Sequence, residues 1–115
     1  MHNFRKLRIY QKAIDFAVEI YKLTKSFPKD EIFGLTSQVR RAVTSIPLNI
    51  AEGSGNKSNK EFKRYLEISL RSDYEVMTCL EIALRLNYCK KEDFKKLIVE
   101  SDEIAAMLVG FSKQL

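Results

Sequence analysis

The stretch Gly34–Gly55, GLTSQVRRAVTSIPLNIAEGSG, constrains this chain most, because an unbroken helical apolar period runs through a proline. At 100° per residue Leu35, Val39, Ala42, Val43, Ile46, Ile50 and Gly53 share one face. Pro47 has no amide to donate to the carbonyl of Val43, and its ring should bend the helix there. The hydroxyls of Thr44 and Ser45 lie close enough in sequence to relieve the disturbed backbone groups. Gln38, Arg41, Ser45, Asn49 and Glu52 form a second, narrow stripe on the flank of the apolar face. Such a stripe either faces water at the edge of the fold or forms a hydrogen-bonded network between helices or subunits. Its order favours the network, since a solvated face is ordinarily rich in Lys and Glu. Arg41 and Glu52 stand about 16 Å apart along one helix axis, so within it they cannot pair with each other.

The rest of the chain repeats the helical period. From Arg8 to about Ser26, Ile9, Ala13, Phe16, Ala17, Ile20, Leu23 and Phe27 line one face, and Tyr10, Ile14, Val18 and Tyr21 add an adjoining apolar strip. Phe27-Pro28 ends that helix, because a residue before proline avoids the α region. The second helix is expected over about 36–54, with Gly53 or Gly55 as a left-handed cap. Ser58 to Glu61 is a capping box that opens the longest helix, about 59–87. There Phe62, Tyr65, Ser69, Ser72, Val76, Cys79, Ala83 and Leu86 form one face. Leu66, Leu70, Met77 and Leu84 form a second, with Tyr74 beside them. A last helix over about 92–113 carries a single stripe from Phe94 to Phe111, with Glu92 and Asp93 at the positive end of its dipole.

Four helices, short connections and no strand-like alternation specify an all-α, antiparallel up-down-up-down four-helix bundle in one 115-residue domain. One bundle core buries a single broad stripe per helix. The extra strips, Tyr10, Ile14 and Tyr21 with Leu66, Leu70, Tyr74, Met77 and Leu84, therefore predict an oligomer surface for another copy of the chain.

Chemistry finds little purchase. The only histidine, His2, sits in the N-terminal arm, so the Glu-x-x-His pairs of di-iron bundles are missing. There is no Gly-rich phosphate loop, and Cys79 and Cys89 lack zinc-ligand spacing, so no metal, cofactor or small-molecule substrate is expected. The two cysteines read as small packed residues in a reduced compartment. Glu52, Glu67 and Glu75 lie on or beside packed faces and read as structural acids paired with Arg40, Arg41 or a tyrosine. An enzyme is not expected. No apolar run reaches the ~18–20 residues of a membrane span, and the N-terminus is no signal peptide, so a cytoplasmic protein is expected.

The net charge of +5 gains meaning from the topology. The start of the first helix, the end of the second and the start of the third meet at one pole. That pole gathers Arg5, Lys6, Arg8, Lys12, Lys57, Lys60, Lys63 and Arg64, with Glu52 and Glu61 as the nearest acids. It is either a solvated charged end or a surface for the phosphate backbone of RNA or DNA.

The motif Gly34-Leu35-Thr36-Ser37-Gln38-Val39-Arg40-Arg41-Ala42, then Ser45-Ile46-Pro47 and Asn49-Ile50-Ala51-Glu52-Gly53, resembles the bacterial ribosomal RNA intervening-sequence proteins. Lys6-Leu7, Ala13, Phe27-Pro28, Glu61-Phe62, Tyr65-Leu66, Ser72 and Glu75 extend the resemblance over nearly the whole chain. It implies a four-helix bundle that assembles as a homopentamer, from a family named for insertions in large-subunit ribosomal RNA genes rather than for an activity. Similar bundles include the accessory variability protein of diversity-generating retroelements, a basic pentamer that works with nucleic acid; the analogy is one of fold. The chain departs from the family pattern at Arg71, where glycine is usual, and at Asp73, where an aliphatic residue is usual. Either the third helix packs less closely there, or Arg71 and Asp73 point outward and ion-pair. Tyr10 replaces a frequent tryptophan and keeps an amphipathic aromatic. The combined expectation is a non-enzymatic, self-assembling bundle that binds nucleic acid or a nucleoprotein through its basic pole. The alternative is an oligomeric scaffold or adaptor for a protein partner.

Overall fold

Each amphipathic segment becomes a helix in the computed structural model, which describes residues 3–115. The helices are α1 (Arg8–Thr24), α2 (Leu35–Ser54), α3 (Asn59–Arg85) and α4 (Lys91–Gln114), with one-turn 3-10 segments at Phe4–Lys6 and Lys29–Glu31. No strand occurs among the described residues. α2 packs on α1 and α3, and α4 closes the ring by packing on α3 and α1, as a four-helix bundle requires. At ~1.5 Å per residue α3 is about 40 Å long, which matches the 44 Å long axis of the molecule. The core is built from Phe16, Ile20, Val43, Ile46, Ile50, Phe62, Leu80 and Ile104, all with almost no exposure.

Local chemistry explains the helix ends. Ser58 Oγ accepts from the Glu61 amide at 3.3 Å and caps α3, while the Glu61 carboxylate turns to Arg64, so only half of the expected capping box closes. Gly34 precedes α2 and has no side chain to offer. Glu31 caps instead, its Oε1 accepting from the Leu35 amide at 3.1 Å and its Oε2 from the Tyr88 hydroxyl at 2.8 Å. Those two bonds hold the Glu31 carboxyl below its usual range. The left-handed cap expected at Gly53 or Gly55 does not form, because Gly55 is right-handed at φ −78°. The positive-φ residue is Asn87 at 61°, just past α3, where the amides of Asn87 and Tyr88 return to Leu84 and Ala83 in a Schellman pattern.

Pro47 is buried inside α2, and the helix continues through it to Ser54. The neighbouring hydroxyls do not serve the Val43 carbonyl as expected. Thr44 Oγ1 donates to the Arg40 carbonyl at 2.6 Å, and Ser45 Oγ accepts from Asn49 and Ser72 at 2.9 Å each. From α3, Ser69 Oγ donates to the Ile46 carbonyl at 2.9 Å, beside the proline.

The second apolar strip of α3 needs correction. Leu66, expected on an oligomer surface, is 2% exposed and belongs to the core, because α3 packs against both α2 and α4. Leu70, Met77 and Leu84 are half-buried at its margin, and Tyr74 is 50% exposed. On α1, Tyr10 and Ile14 are half-buried and Tyr21 is 42% exposed. The Tyr10 ring meets Phe4 edge-on, 5.0 Å between centroids.

Gly53 is a packing residue. A Cβ there would stand 2.6 Å from Tyr65 Cβ and 2.8 Å from Phe62 Cδ1, closer than packed atoms allow. Gly53→Ala should therefore lower stability by about 1–3 kcal/mol in urea denaturation, as overpacking does. Gly55→Ala, whose Cβ would meet only the Glu52 carbonyl at 3.5 Å, should change it by no more than about 1 kcal/mol.

Candidate nucleic-acid interface

The eight cations expected at one pole do not form one surface. Asn59 Nδ2 donates to the Leu115 carbonyl at 3.2 Å, so the start of α3 lies against the end of α4. Lys60, Lys63 and Arg64 line an open groove on that side together with Lys113, a cation that sequence reasoning missed because it lies fifty residues further along. Arg5, Lys6 and Arg8 lie at the start of α1, which packs on α2 and α4 but not on α3. Lys57 sits in the α2–α3 turn. Lys12 leaves the group, for its ammonium pairs with Glu103 on α4. Arg64 shares Glu61 at 3.2 Å and lies over the Tyr65 ring, 5.0 Å from its centroid. Arg5, Lys6, Arg8, Lys57, Lys60 and Lys63 are exposed and enter no ion pair among the described residues. His2 lies outside the described residues.

The polar stripe of α2 lies elsewhere, along its junction with α3. Gln38, Arg41 and Ser45 line a groove of about 520 Å³ with Ser72 and Glu75 from α3. Phe33 stands at its edge with 95% exposure, which leaves almost the whole ring in water. Ser72 Oγ donates to Ser45 Oγ at 2.9 Å, and Asn49 Nδ2 donates to the Ser45 carbonyl at 2.8 Å, so the middle of the stripe bridges helices. Glu52 is exposed and does not line the groove. None of Glu52, Glu67 and Glu75 pairs with Arg40, Arg41 or a tyrosine among the described residues; Glu67 pairs with Arg71 instead, at 2.7 Å. The arginine that ties helices together is Arg40. Its Nε donates to Thr24 Oγ1 at 2.8 Å and its guanidinium lies 4.8 Å from the Tyr21 ring centroid, at the C-terminal end of α1, where positive charge suits the dipole.

Comparison with known proteins places this geometry in a family. The family model for 23S rRNA-intervening sequence proteins matches residues 5–110. The chain belongs to that family. A solved structure from Bacteroides thetaiotaomicron, a protein of unknown function from the S23 ribosomal protein family, is similar at 30% identity and a TM-score of 0.82. The match covers 91% of this chain and 98% of that one. Comparison with curated proteins finds no match. Neither the family's description nor the neighbour's names an activity. No helix among the described residues is long and apolar enough to cross a membrane. Among those residues no group of three or more His, Cys, Asp or Glu is arranged to hold a metal.

Within the family pattern the two departures resolve differently from expectation. Arg71 points outward to Glu67, but Asp73 has no exposure and faces α4, where Ser101 Oγ donates to its Oδ1 at 2.7 Å. Its Oδ2 has no partner among the described residues. The outward ion pair between Arg71 and Asp73 therefore does not exist; the heptad-like spacing that buries Ser69, Val76 and Leu80 carries Asp73 inward as well. Burial pushes the Asp73 carboxyl up to about 6, Asp102 pushes the same way, and the Ser101 hydrogen bond resists them. The cysteines are both free, Cys79 buried and Cys89 half-buried, and burial raises both thiols above their usual value.

Because the folded carboxyl titrates above the unfolded one, its proton stabilises the fold below about pH 4, and that contribution is lost as pH rises through about 6. Asp73→Asn should accordingly gain stability at about pH 7.5, by up to about 3 kcal/mol, and lose most of that advantage near pH 4. Urea denaturation of both proteins across that range measures it; equal pH profiles would show that Asp73 does not titrate with folding.

Proposed function

We propose that this family member is a non-catalytic cytoplasmic bundle that assembles with copies of itself and binds RNA or DNA through its basic pole. The observation that carries the reading is the number of exposed cations that the start of α1, the α2–α3 turn and the start of α3 present on the two sides of this bundle end: Arg5, Lys6, Arg8, Lys57, Lys60 and Lys63 without ion pairs among the described residues, and Arg64 with one acid. Phosphate recognition needs such unneutralised, solvent-reachable charge, because the affinity comes from counterion release. Side chains as mobile as lysine suit a backbone that is tracked rather than read base by base. A ring of copies would repeat the pole around its axis and multiply weak contacts into avidity. The family's connection with 23S rRNA supports an RNA partner.

Changing Lys57, Lys60, Lys63 and Arg64 together to Glu should weaken binding to structured RNA. The slope of log affinity against log salt should fall by about 3–4, close to ~0.9 per lost phosphate contact on a duplex. Unaltered binding in gel shifts, or no binding by the parent protein at low salt, would reject the reading.

Self-assembly rests on the exposed apolar residues Phe33, Tyr21 and Tyr74 and on the polar stripe. A homopentamer of this 13.4 kDa chain would sediment at about 67 kDa. Arg41→Ala and Glu52→Ala should each lower the sedimenting mass, since a charged group buried against a second copy leaves its partner uncompensated when removed. Unchanged mass and unchanged stability in both variants would remove the stripe from the interface.

A further inference from the structure

The groove between the first half of α3 and the end of α4 is built unlike a phosphate surface. Its volume is about 550 Å³, and its base is Leu66 and Leu108, which belong to the core. Leu70, half-buried, and Val109, 41% exposed, complete an apolar floor open to solvent. Lys60, Lys63 and Lys113 stand around it without an ion pair among the described residues. The two acids of the rim, Glu61 and Glu67, are engaged by Arg64 and Arg71 on the same helix. From Lys60 to Leu70 the groove follows α3 for about 15 Å, the length of nearly three helical turns.

We infer that this groove docks an acidic amphipathic helix of a partner protein, about three turns long. Its apolar side chains would recur at i, i+3 or i+4 and i+7 and enter the floor; its Glu and Asp flanks would meet Lys60, Lys63 and Lys113. An apolar seam between two helices is where a third helix packs, and the basic rim selects the sign of its flanks. The rim cations can serve a phosphate backbone, but the floor itself suits a nucleic acid less well, because no lining residue offers an aromatic face for a base and its apolar side chains offer a phosphate no donor. A second copy meeting groove to groove would set lysine against lysine, and one seated head-to-tail, as in a ring, is told apart by the sedimenting mass in the test below. This inference goes beyond the nucleic-acid reading and does not rest on it. Because Lys60 and Lys63 serve both surfaces, helix and nucleic acid would compete.

The test uses the full chain and a fluorescein-labelled peptide of about fifteen residues, with leucines at i, i+3, i+7 and i+10 among Glu and Ala. Two controls have the same composition scrambled, or Lys in place of Glu. Fluorescence anisotropy should show the patterned acidic peptide binding about tenfold or more tighter than either control. Leu70→Gln and Val109→Gln should each weaken it several-fold while leaving oligonucleotide binding intact, and Lys113→Glu should weaken it in a salt-dependent way. Lys57→Glu, outside the groove, should affect only the oligonucleotide. No binding of the patterned peptide, equal binding of the scrambled one, or indifference to Leu70→Gln and Val109→Gln would each overturn the inference. A fall in sedimenting mass on Val109→Gln would overturn it too, by giving the floor to a second copy.

Discussion

The close approach of α2 to α3 is the contact on which the rest of this bundle depends. Gly53 permits it, since any Cβ there would strike Tyr65 and Phe62. Ser69 and Ser72 keep the facing surface of α3 small, and both use their hydroxyls across the seam, to the Ile46 carbonyl and to Ser45. A small residue lets backbones approach, but buried polar atoms must then find partners at short range. Here the partners are backbone and serine oxygens around Pro47, the place where α2 has lost one of its own amide donors.

That seam also determines where the surfaces lie. The stripe of α2 opens on the α3 side as a polar groove beside the exposed Phe33 ring, and the start of α3 is delivered against the end of α4. Cations from α3 and α4 therefore meet over Leu66 and Leu108, while those of α1 stand on the other side of the bundle end. Net charge alone distinguishes none of this.

Asp73 marks the opposite seam, between α3 and α4. A carboxyl with no exposure, one serine donor and one oxygen unpartnered among the described residues is a cost that the fold carries, not a gain. Burial raises that carboxyl to about 6, and so it makes the α3–α4 contact sensitive to pH.

Helix number and order, and the helix ends to within about two residues, were legible in the sequence because 3.6-residue apolar periodicity, Phe27-Pro28 and Ser58 are local signals, readable without knowing any neighbour. Family membership was legible from the motif in α2. What periodicity could not settle was which flank of a wide stripe meets a partner. Leu66 and Asp73 went to the core because α3 touches two helices at once, and that angle between neighbours is written in no single segment. The same limit applies to the charges: Lys12 was withdrawn by Glu103 and Lys113 was added beside Lys60, both through contacts between distant parts of the chain. Sequence determines a helix's faces; only packing decides what each face meets, because burial and ion pairing are properties of two surfaces and not of one.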